Sequence, residues 1–137
     1  KAGPTARLFF NSIKRRNIVP ASQTLFPIKT FFGNLLRLNW REEFAQYQSR
    51  LHAGFIGWLI DTAGGFAAVK KFGPVFVPNY SVNMMRPAIG DYFTAHGEVV
   101  QTGRKQTFTR AEIFAHKDGQ QKLVATGGVI VVPTSPE

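Results

Sequence analysis

The pattern of apolar and polar residues predicts one buried helix. Between Phe55 and Val69 only Asp61 and Thr62 are polar, and a helix that is apolar on every side is normally enclosed by other elements. Two lysines and Gly73 follow this stretch, and cationic residues before a glycine are typical of a helix end. The pattern therefore predicts a central helix.

Strands are predicted on both sides of this helix. One candidate precedes it and four follow it, and they are Thr30 to Asn39, Val77 to Met85, Tyr92 to Gln101, Thr107 to Ala115 and Lys122 to Val132. Asp118-Gly119 is a strong hairpin signal. Residues 40–51 are polar and ambiguous. This order predicts an α+β domain in which an antiparallel sheet packs round the helix.

The first 30 residues differ from the rest of the chain in charge. They contain six of the 17 Lys and Arg residues and no carboxylate, while the whole chain carries a net charge of +9. Ala6, Phe9, Phe10 and Ile13 fall on one face of a helix. We therefore predict a basic N-terminal helix and loop in residues 1–30, one domain in residues 31–133 and a polar tail in residues 134–137.

The composition of the 137-residue chain excludes several kinds of chemistry. There is no cysteine, which excludes thiol nucleophiles and zinc sites built on Cys. A turn near Gly103 would place His96 opposite Ala111, far from His116, so we expect no metal site. No phosphate-binding loop, dinucleotide fingerprint or serine elbow is present. The remaining candidates are carboxylate, imidazole, hydroxyl and backbone groups.

Asp61 is the most informative residue, because it is the only acidic residue between Ala45 and Gly90 and lies inside the apolar helix. Burying an unpaired carboxylate costs several kcal/mol. Its helix face carries little side-chain bulk, since it includes Gly54, Gly57, Gly64, Gly65 and Ala68. Two interpretations stay open. Either Asp61 serves a function, or it forms a cap or ion pair with Arg50, Lys70 or Arg86.

His52 precedes the predicted helix, at the position where unpaired backbone N–H groups collect. Such a place can polarise a carbonyl oxygen. A single histidine there can also be an ordinary cap or loop residue. The Asp61 carboxyl nine residues later makes the functional interpretation the stronger one.

The spacing of four motifs resembles that of a known family. The motifs are Leu51-His52-Ala53-Gly54, Asp61-Thr62-Ala63-Gly64-Gly65-Phe66-Ala67-Ala68, Asn83-Met84-Met85-Arg86-Pro87-Ala88 and Gly103-Arg104. In this order, over roughly residues 30–132, they resemble the hotdog-fold acyl-CoA thioesterases of the phenylacetyl-CoA thioesterase type. The resemblance implies a hotdog fold, in which the sheet wraps the helix and two subunits join their sheets with active sites between them.

The resemblance also implies roles for particular residues. Asp61 would be the general base or nucleophile, the backbone N–H groups of Ala53 and Gly54 would hold the thioester oxygen, and His52 would shape that turn. Gln46 would stand where relatives place an Asn or Gln. Asp61 would come from the subunit opposite to the oxyanion donors. Two positions differ from relatives: Ala53 replaces the first Gly of the commoner His-Gly-Gly form, and Val77 stands where some relatives carry a Ser or Thr.

Coenzyme A would enter as part of the substrate, with no other cofactor and no metal. Its phosphates would be held by cations near two turns, namely Arg86 in one, and Gly103, Arg104 and Lys105 in the other. We further expect a homodimer or a dimer of dimers in the cytoplasm, with no nucleic-acid or membrane partner.

Three other functions are weighed against acyl-CoA hydrolysis. The changes at Ala53 and Val77 are compatible with a hotdog protein that binds an acyl ligand without hydrolysing it. A hydratase is less favoured, because no second carboxylate or His is placed to join Asp61. The basic N-terminal segment could instead bind nucleic acid or a membrane surface.

Overall fold

The computed structural model describes residues 28–31 and 35–134. The predicted N-terminal helix and most of the predicted polar tail lie outside these residues. In the described ranges no helix combines the length and hydropathy that a membrane crossing requires.

The predicted central helix is confirmed as α1, Ala53–Phe72. It begins two residues earlier and ends three residues later than the apolar stretch that predicted it. The Gly73 N–H donates to the Val69 carbonyl and closes the helix. Gly73 has φ 68, a conformation that glycine adopts without steric cost.

The strands form one antiparallel sheet that curls round α1. The strands are β1 (Ile28–Phe31), β2 (Leu35–Asn39), β3 (Val75–Tyr80), β4 (Asn83–Met84), β5 (Tyr92–Thr102), β6 (Thr107–Lys117) and β7 (Gln120–Pro133). Their order in the sheet is β1-β2-β5-β6-β7-β3, with β4 also paired to β7. Among the described strands, β1 and β3 therefore lie at the two edges. This is the hotdog architecture that the sequence predicts.

Two predicted strands are each divided. Thr30 to Asn39 contains parts of two strands, since β1 and β2 pair with each other and Ile28 lies opposite Leu38. Val77 to Met85 is split between β3 and β4, both on β7. The register on β7 shifts between Phe76 and Asn79, around Pro78, which has no N–H to donate to the sheet. The ambiguous residues 40–51 contain two short 3₁₀ turns, Glu42–Phe44 and Tyr47–Ser49.

The register of the β5–β6 hairpin differs by one residue from the prediction. His96 lies opposite Glu112, and Gly97 lies opposite Ala111. The register shifts between Val99 and Gln101, because β5 carries an extra residue there. His96 therefore shares the outer face of the sheet with His116 instead of standing opposite Ala111.

The core lies between α1 and the inner face of the sheet. On β6 the residues of one alternating face are buried, namely Thr107, Thr109, Ala111 and Ile113. From α1, Ile56, Leu59, Ile60 and Ala63 pack onto this face. A Cβ on Gly97 would collide with the Ala63 carbonyl oxygen, so this glycine lets the helix lie directly on β5.

Candidate active site

Asp61 lies two turns into α1 on the side that faces the edge strand β3. A Cβ on Gly57, one turn before Asp61, would lie 3.2 Å from the Tyr80 hydroxyl oxygen. A Cβ on Gly65, one turn after Asp61, would lie 3.6 Å from a methyl of Val77. Tyr80 and Val77 both belong to β3. The carboxylate is therefore flanked by two glycines that face the same strand.

The glycines of this helix have two different functions. A Cβ on Gly64 would lie 2.5 Å from Val129 and 2.8 Å from the Thr109 hydroxyl, both on the sheet. Gly64 therefore serves close packing between the helix and the sheet. Gly57 and Gly65 are the glycines that leave space beside Asp61 on the β3 side.

The Asp61 carboxyl makes no ion pair or hydrogen bond with the side chains that the structure describes in residues 35–69 and 71–134. Two of its predicted partners are engaged elsewhere, because Arg50 donates to the Gln48 side chain and Arg86 donates to the Leu123 carbonyl. The side chain of the third, Lys70, is not among those described. Burial raises the pKa of the Asp61 carboxyl above its ordinary value. A half-buried, unpaired carboxylate is a stronger base than one in water.

At the start of α1 the polar groups are satisfied differently. The Gly54 N–H donates to Nδ1 of His52 at 2.8 Å, which makes His52 the N-cap of the helix. Nδ1 accepts this bond, so the imidazole proton is on Nε2. The neighbouring Ala53 N–H has no hydrogen-bond partner in the described part of the chain. Of the two predicted oxyanion donors, one is thus capped and one is open.

Asp61 and the helix N-terminus do not converge within one chain. Seven and eight residues separate Asp61 from Gly54 and Ala53, and at 1.5 Å per residue this is about 10 to 12 Å along the helix axis. A single thioester carbonyl group therefore cannot contact both Asp61 and the N–H groups of Ala53 and Gly54 of the same helix.

The predicted Gln46 lies in a loop beside the helix N-terminus. The His52 N–H donates to the Phe44 carbonyl, and the Gln46 N–H donates to the Arg50 carbonyl. These bonds hold the loop against the start of α1. The Gln46 side chain is exposed and makes no hydrogen bond to the described residues.

An apolar cavity of about 330 Å³ opens at the same helix end, lined by His52, Gly54, Phe55 and Trp58. Phe55 packs on Phe44 with ring centroids 4.5 Å apart and meets the edge of Trp58 at 6.3 Å. The sequence gives no signal for this cavity, because Phe55 and Trp58 are two apolar residues of a uniformly apolar helix.

The residues predicted to hold phosphates lie at opposite ends of the sheet. The Arg86 guanidinium donates a hydrogen bond to the Leu123 carbonyl, near the start of β7. The turn with Gly103, Arg104 and Lys105 precedes Thr107, which pairs with Val131 near the end of β7. The interval from Leu123 to Val131 on β7 corresponds to roughly 26 Å. These cations therefore do not form one cluster within a chain.

Arg86 has cationic neighbours that the sequence reasoning missed. It lines a cavity of about 540 Å³ together with Lys117 and Lys122. These lysines flank the Asp118-Gly119 hairpin turn, and the Asp-Gly signal predicts the turn but not the cluster of charge beside it. The hairpin folds them back beside the loop that carries Arg86.

The histidines do not form a metal site. In the part of the chain that the structure describes, no three His, Asp or Glu residues are grouped so that they could hold a metal ion. His116 stacks on Tyr92 with ring centroids 4.3 Å apart and hydrogen-bonds to the Thr94 hydroxyl.

Comparison with known proteins places this geometry in a family. The family model of the thioesterase superfamily matches residues 48–122, more than half of the chain. Searched against curated proteins, the sequence has no significant match. Many solved structures are similar to it.

Three of these structures illustrate the similarity. A thioesterase family protein from Silicibacter pomeroyi is 26% identical, with a TM-score of 0.73 over 93% of this chain and 96% of that one. The PaaI protein of the E. coli phenylacetic acid degradation operon is 19% identical, with a TM-score of 0.71 over 95% and 94%. A Bacillus halodurans protein solved with CoA is 17% identical, with a TM-score of 0.73 over 93% and 84%. The last two similarities concern the fold alone.

The matched residues include the His52 turn, the whole of α1 and the Arg86 loop. The family model thus covers Asp61, its flanking glycines and both predicted oxyanion donors. This chain belongs to the thioesterase superfamily.

Proposed function

We propose that this protein hydrolyses acyl-CoA thioesters to a free acid and coenzyme A. The observation that carries the proposal is the Asp61 carboxyl, which is half-buried, faces the β3 edge and has no polar partner among the described residues. A protein would lose stability by keeping such a group without a function.

Asp61 would act as the general base or as the nucleophile. As a base, its carboxylate takes a proton from water while the water oxygen attacks the thioester carbonyl carbon. The C–S bond then breaks, and the thiolate of coenzyme A takes up a proton. Either role requires ionised Asp61, so the raised pKa of this carboxyl shifts the onset of activity to higher pH.

The oxyanion donors would come from the helix N-terminus of a second subunit. The axial distance between Asp61 and Ala53 excludes a site built on one α1. The β3 edge carries exposed apolar side chains, with Phe76 50% and Tyr80 45% exposed. An uncovered edge of this kind is suited to pairing with another strand. Pairing of two chains there would give a homodimer with a composite site.

The Ala53 and Gly54 N–H groups would bind the thioester oxygen at that helix end. The Ala53 N–H is already open among the described residues. The Gly54 N–H becomes available once the exposed His52 ring rotates away from it. The apolar cavity between His52 and Trp58 would then receive the acyl group next to the oxyanion, and cations such as Arg86 would bind the phosphates.

A second candidate function is acyl-CoA binding without hydrolysis. The bond from the Gly54 N–H to His52 favours it, because it occupies one of the two proposed oxyanion donors. Calorimetry distinguishes the two functions: tight binding of an acyl-CoA with no thiol released would support the binding protein.

The proposal is tested by thiol release from a panel of acyl-CoAs, comparing the wild type with Asp61→Asn. The amide is nearly isosteric with the carboxylate but cannot take the proton. We expect the variant to lose about 10³-fold in kcat, within the range attributed to positioned acid–base groups.

Asp91→Asn is the matched control, since it removes an exposed carboxylate distant from α1 and should leave kcat unchanged. Equal thiol release by the wild type and Asp61→Asn, or none by the wild type over the whole panel, would refute the proposed hydrolysis.

A further inference from the structure

We propose that Tyr80 is a catalytic residue whose hydroxyl holds the attacking water beside Asp61. This inference rests on the proposed hydrolysis and adds a group to it. Some relatives carry a Ser or Thr where this chain has Val77, so that hydroxyl is absent here. Tyr80, three residues further along the same strand, brings a different hydroxyl to the helix.

Gly57 is the reason that the Tyr80 ring reaches α1. A Cβ at this position would lie 3.2 Å from the phenol oxygen and 3.4 Å from the nearest ring carbon. These are tight contacts, so any other residue would displace the ring. The hydroxyl thus touches the bare surface of the helix one turn before Asp61.

The Asp61 side chain leans toward the same turn. Side chains of an α-helix tilt toward its N-terminus, and residues four apart have Cβ positions about 5 to 6 Å apart. The carboxylate and the phenol oxygen therefore border the same space above Gly57. They form no direct hydrogen bond, and neither group is hydrogen-bonded to a side chain described in residues 35–69 and 71–134.

Two acceptors that border one space, the Asp61 carboxylate and the Tyr80 oxygen, can hold one water molecule between them. The Asp61 carboxylate accepts one of its hydrogens and the Tyr80 oxygen accepts the other, which leaves a lone pair of the water free to attack the carbonyl carbon. When the proton passes to Asp61, the new C–O bond forms and the C–S bond then breaks.

Tyr80→Phe tests the inference, because it removes the oxygen and keeps the ring on Gly57. Losing one positioning hydrogen bond corresponds to about a tenfold fall in kcat. KM should stay within about twofold of the wild-type value, since substrate contacts are unchanged. Tyr92→Phe is the matched control. The Tyr92 ring stacks on His116 on the outer face of the sheet, so removing the Tyr92 hydroxyl should leave kcat unchanged.

Gly57→Ala provides a second test through the same contact. Its methyl group would push the phenol outward by a few tenths of an ångström, so kcat should fall by no more than in Tyr80→Phe, and the double variant should show little further loss. Wild-type kcat in Tyr80→Phe, or fully additive losses in the double variant, would overturn the inference. If Asp61→Asn is inactive while Tyr80→Phe is fully active, the hydrolysis stands and only the role of Tyr80 fails.

Discussion

The two ends of the candidate site treat their polar groups in opposite ways. At the start of α1, an N–H that the helix cannot satisfy is capped by the side chain of His52. In the middle of α1, the Asp61 carboxyl is half-buried and unpaired among the described residues. The first arrangement stabilises the fold, whereas the second costs stability. The difference teaches that the helix start is built as ordinary structure, whereas the stability cost at Asp61 is what the proposed function would explain.

The largest effect after loss of Asp61 itself should come from removing an oxyanion donor. Ala53→Pro deletes the Ala53 N–H at the first position of the helix, where proline is well tolerated. The preceding His52 has φ −60 and ψ 138, which suits a residue before proline. We expect kcat to fall by about 10²-fold to 10³-fold, with the melting temperature unchanged. Ala67→Ser, on the same helix away from its start, is the control. Undiminished turnover by Ala53→Pro would remove Ala53 from the site.

Loss of the His52 cap should lower stability. Replacing a helix N-cap with alanine typically costs about 1 kcal/mol, so His52→Ala should unfold at lower denaturant concentration. In this variant the Gly54 N–H no longer donates to the His52 ring and is free to bind the thioester oxygen. The fall in kcat should therefore be much smaller than in Ala53→Pro. Chemical denaturation and thiol release on the same sample separate the two effects. A stability equal to that of the wild type would show that the bond to Gly54 contributes nothing.

Asp61→Asn should change stability in the other direction. A carboxyl whose pKa is raised by folding stabilises the native state only while protonated, so its ionisation at neutral pH destabilises the fold. The variant should therefore melt a few degrees higher at pH 7. This gain should shrink as pH falls through the raised pKa of Asp61 and vanish below the ordinary value near 3.8. A variant that is less stable than the wild type at pH 7 would indicate a stabilising partner for Asp61.

The smallest effect should come from the phosphate-binding cations. Arg86→Gln removes an exposed charge, and exposed ion pairs contribute at most about 1 kcal/mol, so KM for an acyl-CoA should rise about twofold to fivefold. The same acyl group on pantetheine, which lacks the nucleotide phosphates, should show no change in KM. An equal rise for both substrates would mean that Arg86 acts through the fold, by way of its bond to Leu123.

Much of the fold could be predicted from the sequence, because hydrophobic periodicity and turn-forming residues determine helices, strands and hairpins over short stretches of chain. The apolar stretch around Asp61 predicts α1, alternation predicts the strand β6, and Asp118-Gly119 predicts the last hairpin. Prediction fails where one residue shifts a register. The extra residue in β5 moves His96 opposite Glu112, and the irregularity around Pro78 shifts the pairing of β3 with β7.

The candidate site was predictable in part. Asp61 could be found because a lone carboxylate in an apolar helix is costly wherever the helix packs. The contact between Tyr80 and Gly57 could not, since it joins a strand to a helix and depends on their packing in space. The capping of Gly54 by His52 was foreseen only as the ordinary alternative to a functional role.

The central claim is that one site combines Asp61 of one subunit with the helix start of another, and mixing two inactive variants tests it most directly. Asp61→Asn and Ala53→Pro are unfolded together, refolded as a mixture and assayed for thiol release. Half of the dimers should be mixed, and each of those should contain one intact site, so the mixture should recover about a quarter of wild-type activity. A mixture as inactive as its two components would contradict the account.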